Sequence, residues 1–231
     1  MSPCCKTSDA VSFGVMGIVL FAVSVFLRPL MPIDETRYLS VAWEMWQHKG
    51  WFDPLTKNFE PYSHKPPLLF WLINLSWGVF GVSRWAALLP VLLMAFVNIY
   101  LVGILYKKLF ADAKESHARW IMFGSVPFFF YSTLMLFDMS MCVFAQLGLL
   151  ALLNFTKDGR MRWMIAMGLA MGFGVLMKGP VAYLYVLFPV LFGFSVWAAG
   201  LSCSSIRSIV RIRCLCWDRE RGCLFTAATS I

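Results

Sequence analysis

Residues 10–27 contain no Asp, Glu, Lys, Arg or His, and neither do residues 85–106, 120–137, 139–155, 163–177 or 181–199. An apolar run of about 18 residues is what crosses a bilayer as a helix. The rest of the composition agrees, with 60% hydrophobic residues, 14% charged and a mean hydropathy of +0.71. Soluble domains carry roughly 25% charged residues. The fold class expected is therefore all-α, a polytopic transmembrane helical bundle of about six spans.

The net charge of +8 does not argue for nucleic acid. The basic residues sit in short clusters between apolar runs, as topology signals do. The seven cysteines offer no disulfide framework, and Cys214 and Cys216 make a lone C-x-C without a second ligand pair. No metal, no other cofactor and no nucleic-acid partner is expected.

After a short polar leader, residues 10–27 would make a helix about 27 Å long at ~1.5 Å per residue. Arg28 and Pro29 close it. It is too long for the apolar core of a signal peptide and lacks a small-residue cleavage site, so a retained span is expected. The spans expected are 10–30, 85–106, 120–137, 139–155, 163–177 and 181–199, with the amino terminus cytoplasmic. Residues 66–82 are apolar but short and open with two prolines. Placing them in the interface puts Lys107, Lys108, Lys114, Arg119, Lys157, Arg160 and Arg162 on one side, as the positive-inside bias requires. Trp71 and Trp77 suit a helix at headgroup level.

That topology brings Asp34, Lys65, Asp138 and Lys178 to the outer face, at the ends of spans. Charges at a membrane boundary are costly and so usually functional. Residues 32–71 form the longest polar interval and hold Asp34, Glu35, Arg37, Lys65 and Trp43, Trp46 and Trp51. On a helix, Asp34 shares a face with Arg37 at i, i+3 and with Tyr38 at i, i+4. Asp34 reads equally as a general base at a low-dielectric boundary or as the cap of an amphipathic helix through Gln47. In His64-Lys65-Pro66-Pro67 the prolines stiffen the chain and fix a compact cation at the start of an apolar helix. That lysine suits a phosphate, or simply snorkels to the interface. Asp138 stands between two apolar runs with almost no loop, as a site carboxylate or a helix cap. Lys178 of Lys178-Gly179-Pro180 has the same choice between site and snorkel.

Taken in order, D-E-x-R-Y after a first span, H-K-P-P-L, a membrane-boundary Asp and M-K-G-P resemble the aminoarabinose transferase and protein O-mannosyltransferase group. These are GT-C glycosyltransferases that use polyprenyl-phosphate sugars. The likeness covers roughly residues 10–199 and the amino-terminal part of a family whose members are over twice as long. It implies inverting transfer of a sugar from a polyprenyl-phosphate carrier to an envelope acceptor (lipid A, protein or glycan) at the outer face of a bacterial inner membrane. In that reading Asp34 and Asp138 are the catalytic acids, and Glu35, Arg37, Tyr38, Lys65 and Lys178 bind the lipid phosphate or sugar. The group often has a Glu before the KPP lysine, which can take part in metal binding; here it is His64. The remaining spans and the carboxy-terminal domain are not in the sequence, so a truncated copy is expected, its own activity in question.

Residues 1–199 are thus the expected GT-C transmembrane region, with 32–84 as its outer catalytic loop. Residues 200–231 change character: five of the eleven arginines and four of the seven cysteines fall there. A shift of reading frame near Ala199 would produce such a tail, and a genuine basic cytoplasmic tail is the alternative. Two other function classes stay open at this stage: a transporter, which would need charges in mid-span, and a non-catalytic membrane interaction protein.

Overall fold

The structure, a computed structural model, describes residues 3–29, 32–48, 51–52, 56–58, 60–110 and 114–198. The basic tail 200–231 lies outside the described residues. Residues up to Leu187 form one unit; of the second, which begins at Phe188, only the continuation of the last helix to Ala198 is described.

The chain is helical nearly throughout. Helix α1 (Pro3–Ala22) runs into a π-helical turn (Val23–Leu27), where the buried Ser24 hydroxyl donates to the Leu20 carbonyl at 2.7 Å. Helix α2 (Asp34–His48) is amphipathic, burying Glu35, Tyr38, Val41, Ala42 and Met45 at helical spacing. Two-residue strands β1 (Thr56–Lys57) and β2 (Glu60–Pro61) pair antiparallel, tied to α2 by Glu44, which accepts from the Thr56 hydroxyl at 2.6 Å. Helix α3 (Leu68–Phe80) lays Trp77 against Trp43 and Trp46 of α2, edge to face. Its 13 residues reach about 20 Å, short of a ~30 Å hydrocarbon core. That length suits the interfacial placement expected of residues 66–82.

Helices α4 (Arg84–Leu109), α7 (Phe137–Asp158) and α8 (Met161–Lys178) are long and apolar enough to cross a membrane. They match the spans expected at 85–106, 139–155 and 163–177. Ser83 caps α4, accepting from the Ala86 amide, and Lys107 and Lys108 sit in the last turn, where cations suit the helix dipole. Ala87, Val91, Ala95 and Ile99 form a fully buried row along α4. Small side chains in it let neighbouring helices approach. Buried Asn98 ties α4 to α7, donating to the Met139 carbonyl at 2.7 Å and accepting from Gln146 at 3.0 Å. Gly159, at φ +63°, ends α7 in the left-handed conformation that favours glycine, and the chain turns back into α8.

The expected span 120–137 is corrected. It is two helices, α5 (Glu115–Gly124) and α6 (Val126–Ser132), followed by an irregular turn into α7. Pro127 has no amide proton to donate back to Phe123, so α5 stops at Gly124 and α6 starts afresh, with proline in its first turn. Helix α9 (Val181–Ala198) covers the last expected span; its first turns pack so tightly that a Cβ on Gly174 would meet Ala182 at 2.9 Å.

Candidate functional site

Helices α4 and α7 run parallel, because Asn98 meets Met139 near one end and Lys108 donates to Asn154 at 2.6 Å near the other. The antiparallel return of α8 then brings Lys178, in its last turn, to Asp138, in the first turn of α7, and the two form an ion pair. Each charge complements the dipole of its own helix. Two short motifs 40 residues apart in sequence are thus one pair at one end of a hairpin.

Asp34 opens α2 at that same end. It pairs with Arg37 one turn on, and the carboxylate is half exposed. Just before it, Ile33 holds a φ of +81°, a strained conformation for a β-branched residue. Arg37 lies over the Tyr38 ring, at 5.4 Å from its centroid. Tyr38 is buried edge-on against Phe137 at 4.9 Å, and Phe70 packs on Phe137 at 5.7 Å. Lys65 sits 5.7 Å from the centre of the Phe137 ring. Among the described residues Lys65 has no acidic partner. Phe137 therefore joins the sequence motifs: it supports Tyr38 and Lys65 directly and is the chain neighbour of Asp138.

Glu35 has a different place from the one expected. Its side chain is 0% exposed, held among protein groups rather than at an open surface. The carboxylate accepts from the Arg28 guanidinium and from the Met135 amide, the latter at 2.6 Å. Arg28 also donates to the Thr133 carbonyl at 2.8 Å, and Arg84 reaches the Arg28 carbonyl. This buried knot ties the exit of the first apolar helix and the start of α2 to the turn that launches α7. It holds Asp34 and Asp138 in register from behind.

Two further site residues carry no signal in the motifs. One is Phe137, an aromatic among many. The other is Tyr62, which is buried on Phe70, with a hydroxyl that has no hydrogen-bond partner among the described residues. Burial pushes the Tyr38 and Tyr62 hydroxyls above their ordinary range, and the nearby Asp34 charge adds to this, so both stay protonated donors at neutral pH. The folded state then holds these protons more tightly than the unfolded chain does. Their contribution to stability is full below about pH 10 and is lost as pH rises through the raised folded values. The unfolding temperature should fall on that alkaline limb, and Tyr38→Phe should flatten the fall. Tyr62→Phe removes a buried hydroxyl without a partner among the described residues and should stabilise the fold by about 1 kcal/mol. Thermal unfolding from pH 7 to 11 checks both.

His64 packs its ring on Tyr62 at 5.5 Å, and among the described residues no three His, Cys, Asp or Glu side chains converge.

Fold and site together define an integral membrane protein of helices whose ends carry acids and cations on one face. The chain belongs to the dolichyl-phosphate-mannose-protein mannosyltransferase family, whose model matches residues 64–212. It is 28% identical over 157 residues to an undecaprenyl phosphate-alpha-4-amino-4-deoxy-L-arabinose arabinosyl transferase of Pseudomonas savastanoi pv. phaseolicola, covering 65% of this chain and 29% of that one. A relative of the same description from Pseudomonas fluorescens is 25% identical over 199 residues, covering 80% of this chain and 34% of its own. Among solved structures, ArnT from Cupriavidus metallidurans has the same fold. Bound to undecaprenyl phosphate it gives a TM-score of 0.67 at 23% identity, covering 83% of this chain and 37% of that one. In the apo state the TM-score is 0.68, covering 89% and 40%. The chain spans about a third of the length of these relatives. It has the fold of a family of lipid-linked sugar transferases.

Proposed function

We propose that this chain supplies the acid and phosphate-binding part of a glycosyltransferase that moves a sugar from a polyprenyl-phosphate carrier to an envelope acceptor. Lipid A, protein and glycan hydroxyls or phosphates all fit as acceptors. The site would lie at the periplasmic face of a bacterial inner membrane, which places the basic ends of α4 and α7 in the cytoplasm, as the positive-inside bias favours.

The observation that carries the reading is the juxtaposition at Phe137. Lys65, a cation without an acidic partner among the described residues, and Tyr38 both rest on the Phe137 ring, and Tyr38 in turn carries Arg37, the partner of the half-exposed Asp34 carboxylate. For an acceptor hydroxyl, Asp34 takes the proton while the acceptor oxygen forms its bond to the anomeric carbon. The bond from that carbon to the phosphate oxygen breaks, and the phosphate leaves with the electron pair. Lys65 meets the charge that develops there. Arg37 holds Asp34 in place, and the Tyr38 and Tyr62 hydroxyls stand near as donors. Asp138, held by Lys178, orders the neighbouring helix ends. The charges on α4, α7 and α8 all fall near helix ends, which fits transfer at a boundary better than an ion path through mid-span.

Lys65→Gln in the complete gene product tests the phosphate assignment. Loss of one charge-assisted contact should weaken binding of undecaprenyl phosphate about 10- to 100-fold. Titration of the lipid against the protein in membrane discs reads this directly. Unchanged affinity would remove Lys65 from the donor site.

A further inference from the structure

At the opposite end of the bundle from Asp34, helices α4, α7 and α8 enclose a groove of about 450 Å³. Its mouth is polar and its wall apolar. At the mouth stand Lys108 and Asn154, hydrogen bonded at 2.6 Å, and Trp163, whose indole donates to Asp158 at 3.3 Å. Ala151, Ala166 and Ala170 leave the floor open, and Phe144 and Phe173, stacked at 5.8 Å and 17°, line the inner end. Asn154 and Phe144 are ten residues apart on α7, so the groove is about 15 Å deep. That is one leaflet of a ~30 Å hydrocarbon core.

We infer that this groove binds an anionic glycerophospholipid of the leaflet facing away from the Asp34 site, with one acyl chain along α7 and its phosphate at Lys108. Three observations select this occupant. The depth is that of one leaflet, and the aromatic stack lies at mid-membrane, whereas a crossing helix would need a channel through both leaflets. The three walls are helices long and apolar enough to cross a membrane, and the lining between them is almost wholly apolar, which suits a lipid chain. The mouth has the complementary charge. Lys108 has no acidic partner among the described residues, and Lys157 and Arg160 lie close along the chain without one. Glu115 is taken by Lys107 and Arg119, and Asp158 by Arg162. A lipid tail gains little by leaving other tails, so selection falls to the headgroup. The tryptophan at the mouth sits at the depth where indoles favour the interface. The inference stands apart from the proposed transfer chemistry, because it uses none of that site's residues.

The test is native mass spectrometry of the full chain released from discs with equal amounts of phosphatidylglycerol and phosphatidylethanolamine of identical acyl chains. One basic residue near a membrane surface favours an anionic lipid about fivefold, so phosphatidylglycerol should be retained by about that ratio. Lys108→Gln should bring the ratio near one, and Lys157→Gln, outside the groove, should leave it. Ala170→Phe should fill the floor and lower retention of both lipids. A photocrosslinker at Ala166 should capture lipid. The inference is overturned if the wild-type chain shows no preference, or if Lys157→Gln matches Lys108→Gln. Capture of a protein segment at Ala166 would overturn it too, because the groove would then be an interface between helices.

Discussion

Arg28→Ala should destabilise the protein by about 3–5 kcal/mol, the cost of leaving a buried carboxylate without its partner. Glu35 has no exposed surface and Arg28 is 17% exposed, so water cannot replace the guanidinium. The same change takes the guanidinium donor from the Thr133 carbonyl. Glu35→Gln should cost less, since the amide oxygen can still accept from Arg28 and from the Met135 amide, though without the charge. The double variant Arg28→Ala/Glu35→Gln should be more stable than the sum of the single effects predicts, because with both charges gone no lone buried charge remains. Unfolding in mild detergent, followed by tryptophan fluorescence, measures all three. If Arg28→Ala proved neutral, the knot would not be what fixes α2 against the start of α7. Because that knot sets the register of Asp34 and Asp138, transfer should fall along with stability.

The sequence and the structure agree where a single physical rule dominates. Charge-free runs mark α4, α7 and α8, because burying an ion in lipid is costly enough to keep such runs clean. Asp138 and Lys178 were legible as boundary charges, and the hairpin turned that into a pair. The rule fails at residues 120–137. Absence of charge says that a segment can lie in lipid, but not that it is one helix, and Pro127 breaks it without adding polarity. Glu35 was illegible for a related reason. Beside Asp34 it reads as a second site acid, yet one step along a helix turns a side chain by about 100°, which takes it from the surface into the core. Its partners, Arg28 and Met135, lie 7 and 100 residues away, beyond any spacing rule. Phe137 and Tyr62 were hidden by composition: with 21 phenylalanines and seven tyrosines, no single aromatic stands out.

Asp34→Asn in the complete gene product should lower the rate of sugar transfer by about 10²–10⁴, the usual worth of a positioned general base. Its effect on stability should be small, because the Asp34–Arg37 pair is half exposed, and such pairs contribute only ~0.2–1 kcal/mol. These two results together separate Asp34 from Glu35: loss of the first stops chemistry in a folded protein, and loss of the second loosens the fold. The kinetic split sharpens the assignment. Asparagine keeps the shape and accepts from Arg37, so donor affinity should persist while kcat falls and KM stays near its parental value. Asp138→Asn offers the contrast. Its carboxylate is committed to Lys178 across the α7–α8 hairpin, so the variant should weaken the order of the helix ends and move KM and kcat together. Should Asp34→Asn transfer sugar to a hydroxyl acceptor at the parental rate, the base is elsewhere, and Asp138 becomes the carboxylate to test with that same acceptor. An acceptor phosphate needs no proton removed, so even then Asp34 could position it without acting as base. Comparing a hydroxyl acceptor with a phosphate acceptor in the same variant distinguishes those roles: a general base is required only for the hydroxyl.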